Sequence, residues 1–140
     1  MIRPLVERDV DGLLDVWYRA AVIAHSFLPE EHFLGERVEI VQRWLPAADT
    51  VVYEIDGRVV GFLSLIRNEV GAVFVDPDLQ RRGIGRELMD DARSRRPYLE
   101  LGVFEANAIG RRFYERYGFR LIERRIEEST GEPELRLRLG

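Results

Sequence analysis

Between Gln80 and Arg86 the chain reads Gln80-Arg81-Arg82-Gly83-Ile84-Gly85-Arg86. Two glycines one residue apart open a helical pattern, because Ile84, Leu88 and Ala92 recur at helix spacing with Met89 beside them. Glycine lacks a Cβ, so backbone N–H groups there can approach a ligand closely, and the first N–H groups of any helix have no partner within it. With the helix dipole added, this is the chemistry of an anion site, best suited to phosphate. Arg81, Arg82 and Arg86 supply fixed positive charge around it. Just upstream, Val73-Phe74-Val75 is apolar and largely β-branched, and Pro77 stops a central strand from running past Asp76. The order is strand, glycine loop, helix.

Three phosphate-binding readings compete. A P-loop needs a Lys after its last glycine, and all 21 basic residues here are Arg, which excludes it. A dinucleotide fingerprint needs a third small residue where Leu88 stands and a tighter connection than Asp76 to Arg82 allows. What remains is Gln/Arg-x-x-Gly-x-Gly/Ala, which resembles the pyrophosphate-binding loop of the GCN5-related N-acetyltransferase (GNAT) superfamily, the loop that holds acetyl-CoA. A glycine pair before a helix also occurs as a plain turn. On the resemblance, Gln80, Arg81, Arg82, Gly83, Ile84, Gly85 and Arg86 bind the coenzyme. In that family the preceding strand splays from its neighbour at a bulge, and its free N–H groups hold the pantetheine and polarise the acetyl carbonyl. The matching positions are Phe74 and Val75.

A second motif, Asn107-x-x-Gly110-x-x-Phe113-Tyr114-Glu115-x-x-Gly118-Phe119, is similar to the Asn-x-x-Ala-x-x-Phe-Tyr-x-x-x-Gly-Phe signature of the same superfamily, with Gly110 where Ala is usual. Helix geometry puts Asn107, Gly110 and Tyr114 on one face, the outer two roughly 10 Å apart along the axis, and Gly110 would let a ligand pass close to the backbone. The resemblance implies that Asn107 contacts the coenzyme and that Tyr114 is a general acid. A thiol leaving group has a pKa of about 8.5 and a phenol one near 10, so a phenol can protonate or hydrogen-bond the departing thiolate. Asn107 also suits a helix cap. The attacking amine needs a base, and the residues do not choose one. Glu69 precedes the glycine-loop strand, where relatives place a carboxylate, but it also reads as an exposed hairpin-end residue. His25 lies at the junction of the first two helices with Phe27, near His32 and Phe33; it could line the acceptor pocket or simply end a helix.

These residues need a frame. Val10, Leu13, Leu14, Trp17, Ala21 and Ala24 keep helical spacing behind Asp9 as N-cap, and Pro29-Glu30-Glu31 opens a second helix carried by Phe33, Leu34, Val38, Val41, Trp44 and Leu45 to Pro46. Residues 50–55 and 59–66 read as strands joined by Asp56-Gly57, a strong hairpin signal. Residues 70–75 form the next strand, followed by the helix to about Arg95 or Arg96, a strand over 98–104, a helix over 106–117 with Gly118 at its C-cap, and strands over 119–126 and 134–139. Met1 to Pro4 reads as a first strand. The resulting order, β-α-α-β-β-β-α-β-α-β-β, matches the GNAT superfamily over nearly the whole chain. The expectation is an α/β (α+β) fold with a mixed sheet of about seven strands, a splayed central pair and about four flanking helices.

At 140 residues with 46% hydrophobic and 33% charged residues, the chain fits a single domain with a core of its own. Without cysteine it has neither disulfides nor a thiolate nucleophile. A net charge of −4 argues against nucleic acid, and the lack of a leader or spanning apolar run argues for a cytoplasmic protein without a membrane partner. The expected activity is direct acetyl transfer from acetyl-CoA to a small-molecule or peptide amine, with no metal, by a monomer or homodimer. The alternative is a catalytically silent acyl-CoA sensor or assembly subunit of the same fold.

Overall fold

The computed structural model describes residues 1–140. Its strands are β1 (Ile2–Pro4), β2 (Asp49–Ile55), β3 (Arg58–Ile66), β4 (Glu69–Val75), β5 (Leu99–Phe104), β6 (Arg120–Ile126) and β7 (Pro133–Leu139). Its helices are α1 (Val10–Ala24), α2 (Glu30–Glu39), α3 (Ile84–Arg95) and α4 (Ala108–Tyr117). The strands form one mixed sheet of seven in the order β1-β2-β3-β4-β5-β7-β6, antiparallel throughout except where β4 meets β5. The expected mixed sheet and flanking helices are therefore present.

Alternation along the strands builds two cores, because successive side chains leave opposite faces. Leu63 and Leu65 of β3 turn toward Ile84, Leu88, Met89 and Ala92 of α3, joined by Val60, the extra residue of a bulge opposite Tyr53 and Glu54. Val59 and Phe62 of the same strand turn the other way, toward Leu13, Leu14, Trp17 and Ala21 of α1. A helix layer on each face thus fixes β3 and β4 at the centre.

β4 and β5 share a single register pair, Glu69 opposite Glu100, and diverge beyond it. On the other side of β4, Ser64 faces Ala72 and Leu65 faces Val70, so Gly71 is an extra residue that bulges the strand. Asp76 donates its N–H to Val60 O at 2.8 Å, which fixes the parity of β4. By that alternation the N–H groups of Ala72 and Phe74 face β3, and those of Val73 and Val75 face the gap.

Two local expectations need correction. Asp9 stands just before α1 without capping it, because its carboxylate accepts the Val6 N–H at 2.9 Å and Arg3 at 2.7 and 2.9 Å, closing a short turn over Glu7–Asp9. Arg3 holds that carboxyl at about 2. The second helical run reaches Pro46 as expected and ends at Ala47, but it is not one uninterrupted α-helix. The chain continues from α2 through a π turn, Ile40–Trp44, into a last turn, Leu45–Ala47, that contains the proline. The wider turn accommodates a residue that has no N–H to donate and whose ring crowds the preceding carbonyls. Of the apolar stripe expected there, Phe33 is buried, whereas Leu34, Val38, Val41 and Trp44 remain exposed. No helix is long and apolar enough to cross a membrane.

Candidate active site

The glycine loop is held open. Gly83 takes φ 83° and Arg81 φ 66°, separated by one residue, and such alternation curls consecutive amides around a concave space. No backbone N–H from Gln80 to Arg86 donates to an acceptor within the protein; the first bond of the helix runs from Glu87 N–H to Gly83 O. The two glycines serve different needs. A Cβ on Gly83 would meet nothing, so its requirement is the positive φ, whereas one on Gly85 would come within 3.3 Å of Phe113 Cε1, where α3 packs on α4. Ile84 is buried in the core and presents only its backbone to the loop. The Gln80 amide reaches Val75 O at 3.4 Å. Arg81, Arg82 and Arg86 are exposed and make no ion pair.

Beside the loop lies the gap between β4 and β5. The sequence expectation named the amides of Phe74 and Val75 there; the register leaves Val75 facing the gap, with Val73 rather than Phe74 beside it. Phe74 instead lends its ring to the α1 side, 5.8 Å from Phe62 and 6.4 Å from His25 between centroids. One residue of register decides which N–H groups are free.

α4 contributes Asn107 and Tyr114. Asn107 is buried at the N-cap, its Oδ1 accepting Gly110 N–H at 2.9 Å. Its Nδ2 then points to His25 Nε2 at 3.4 Å, so that nitrogen carries the lone pair. Gly110 does not open a path for ligand: a Cβ there would fall 2.6 Å from Asn107 Nδ2, so the glycine makes room for the capping side chain. Tyr114 is half-buried between Phe113 and Phe119, at 5.5 and 5.7 Å, and its hydroxyl has no partner in the protein. Loss of water pushes its phenol above the ordinary value, so it stays protonated and able to donate.

The far wall comes from the α1–α2 junction. His25 packs edge-on against Phe27 and Phe104, at 5.9 and 5.1 Å, and burial lowers its pKa to about 4, with nearby His32 adding to the shift. The ring is neutral at physiological pH. His32 Nε2 meets Glu36 at 2.9 Å, and burial raises the Glu36 carboxyl, an effect to which Glu127 of the β6–β7 turn adds. Glu69 is elsewhere. It sits at the closed end of the gap in a two-pronged pair with Arg136, both contacts 2.6 Å.

Sequence reasoning passed over Val73, Phe104 and above all Asp76. That carboxylate is 1% exposed and receives a fork from Arg19 of α1, at 3.0 and 2.8 Å, which keeps it below the usual carboxylate range. Only the Asp-Pro step marked it in the sequence. A surface cavity of about 380 Å³ lined by Arg3, Asp9, Glu54 and Arg58 shares none of the site residues.

A family model described as Acetyltransferase (GNAT) domain matches residues 46–121. The chain is 29% identical to the peptidyl-lysine N-acetyltransferase YiaC of Escherichia coli (strain K12) over 134 residues, covering 95% of this chain and 92% of that protein. It is 33% identical to the peptidyl-lysine N-acetyltransferase YjaB of the same strain over 134 residues, covering 94% and 90%. The solution structure of apo YjaB from Escherichia coli aligns with a TM-score of 0.86 at 30% identity, over 99% of this chain and 95% of that one. The PaiA N-acetyltransferase of Thermoplasma acidophilum, solved in complex with coenzyme A, shares the fold with a TM-score of 0.75 at 20% identity, over 97% and 96%. The chain therefore belongs to the GCN5-related N-acetyltransferase superfamily and is an enzyme that transfers an acetyl group to an amine.

Proposed function

We propose that acetyl-CoA is the donor and that the acceptor is a lysine ε-amine on a peptide or protein. The observation that carries the donor assignment is the run of partnerless amides from Gln80 to Arg86, flanked by three unpaired arginines. A diphosphate satisfies both features at once. Val73 and Val75 N–H groups then face the pantetheine and the thioester carbonyl, and Asn107 keeps a second amide hydrogen and a second lone pair for the coenzyme.

Acetyl-CoA supplies a thioester whose carbon forms the new C–N bond as its C–S bond breaks. Tyr114, its phenol kept neutral by burial, donates a proton to the departing sulfur and takes one back from solvent as the thiol leaves. The gap-facing amides stabilise charge that develops on the carbonyl oxygen. Glu69 is held by Arg136 and the His25 Nε2 lone pair faces Asn107, so the proton of the amine passes to water at the mouth.

The acceptor assignment draws on the curated relatives named peptidyl-lysine N-acetyltransferase and on charge. The half-buried Glu36 carboxyl, with Glu127 repelling it, is relieved by an arriving ammonium, and the Phe27 and Phe104 rings offer apolar surface to a lysine stem. The test is incubation with acetyl-CoA and lysine-containing peptides, read by mass spectrometry. The chain has no lysine, so every acetyl-lysine arises from the acceptor. Calorimetry with CoA checks the donor site separately. Absence of CoA binding overturns the donor, and transfer to small amines with lysine peptides inert overturns the acceptor.

A further inference from the structure

The amide loop does not hold itself. Its N–H groups have no internal acceptors, its arginines have no partners, and its one side-chain tether, Gln80 to Val75 O, is long at 3.4 Å. What fixes its direction lies upstream, at the residue where the chain leaves the sheet. Asp76 is anchored through every polar group it has. Its N–H donates to Val60 O at 2.8 Å and its carbonyl accepts Leu79 N–H at 2.9 Å. Its Oδ1 takes Asp78 N–H at 2.9 Å and Arg19 Nη1 at 3.0 Å, and its Oδ2 takes Arg19 Nη2 at 2.8 Å. Arg58 adds a looser contact at 3.5 Å.

Arg19 belongs to neither motif and lies 57 residues away on α1, where Asp15 steadies it at 3.0 Å. We infer that Arg19 is a positioning residue for coenzyme binding: through the planar fork it makes with Asp76, it aims the open amides of residues 80–86 at the diphosphate. This rests on the donor reading above.

The fork matters more than the charge. Arg58 still neutralises Asp76 when Arg19 is replaced, so the carboxylate is not left buried and alone, but only a guanidinium fixes both oxygens in one plane. Arg19→Lys therefore keeps the charge and removes the orientation.

The experiment compares wild type, Arg19→Lys and Asp76→Asn well below their melting temperatures. CoA affinity is read by calorimetry, the KM for acetyl-CoA and kcat by steady-state kinetics, and backbone order in residues 78–86 of the free protein by NMR relaxation. Arg19→Lys is expected to weaken CoA binding and raise the KM for acetyl-CoA by about tenfold, with kcat and the KM for acceptor within about twofold, because misplacement of a binding group costs affinity first. The amides of residues 80–86 become more mobile on the nanosecond scale. A lowered melting temperature with CoA affinity and loop order unchanged overturns the inference and leaves the pair merely structural. If wild type itself fails to bind CoA, the donor reading falls and the inference with it; if wild type binds CoA and Arg19→Lys binds equally well with ordered amides, the inference alone falls.

Discussion

Arginine and tyrosine occur in two opposite states in this molecule. At the closed end of the gap, Arg136 and Arg138 reach Glu69 and Glu100, and farther along the β5–β7–β6 leaf Arg124 holds Glu105 and Arg125 holds Glu134. Around the glycine loop, Arg81, Arg82 and Arg86 hold nothing. The hydroxyls divide likewise. Tyr18 donates to Glu30 and Tyr53 to Glu87, at 2.9 and 2.8 Å, and Tyr117 donates to Asp90, while Tyr98 lies 4.1 Å beneath the Arg138 guanidinium. Tyr98 and Tyr114 donate to no group within the protein, and of the two only Tyr114 stands on α4, beside the glycine loop. A polar group engaged internally contributes to the fold; one left open is available to a ligand. Being unpaired does not mark an arginine by itself, since exposed Arg8, Arg37, Arg116 and Arg120 also make no ion pair; Arg81, Arg82 and Arg86 stand apart because they flank a run of open amides.

The contrast breaks if a free group proves structural or an engaged one proves functional, and four measurements bear on it. Tyr114→Phe is expected to lower kcat by about a hundredfold, the range for loss of a general acid, with CoA affinity intact; unchanged turnover would remove the phenol from the reaction. Replacing Arg81, Arg82 and Arg86 together by Ala should weaken CoA binding roughly thirtyfold at low salt and progressively less as salt is raised, leaving the melting temperature in place. A large drop in melting temperature would show that these side chains are not free in solution.

Arg136→Met tests the other side. It strands Glu69 while Arg138 still holds Glu100, and should cost about 2 kcal/mol in denaturant titration, less than a fully buried pair because Glu69 keeps contact with water, while CoA affinity holds. A collapse of kcat in a folded Arg136→Met protein would instead return Glu69 to the chemistry. The smallest effect concerns His25. Its pKa is about 4 folded and near 6.5 when the chain unfolds, so the unfolded state binds the extra proton between those values, and stability falls as pH drops through that window. Between pH 7 and about 5.5 the loss should be about 1 kcal/mol, absent in His25→Phe.

Much of the fold could be read from the chain because its signals are local. Asp56-Gly57 set a hairpin, Leu135, Leu137 and Leu139 alternated with charge along an exposed-faced strand, and Gly118 ended α4 with φ 118°. The glycine loop was legible for the same reason, since the positive φ at Gly83 and the opening of α3 are local, although the close approach of Phe113 to Gly85 is not. Most of the failures at the site needed partners distant in sequence. Whether Phe74 or Val73 faces the gap depends on pairing with β3 and on the extra residue Gly71. Glu69 was available as a base until Arg136, 67 residues away, was seen to hold it. Asp76 looked like a strand end before a proline, and nothing within the motif disclosed the arginine on α1. Gly110 was read for what might pass over it, when the constraint was the side chain of Asn107 folded beneath.

The single rung between Glu69 and Glu100 has a mechanical consequence. Strands β1 to β4 and strands β5 to β7 are two leaves hinged on a spine one residue long, so backbone bonding does little to set how far they stand apart. That distance is set instead by the rings wedged at the open edge: His25, Phe27, Phe74 and Phe104 on one side, Phe113 and Tyr114 on the other. Trimming a wedge ring would widen the opening without breaking a ladder bond, so its width is adjustable one side chain at a time.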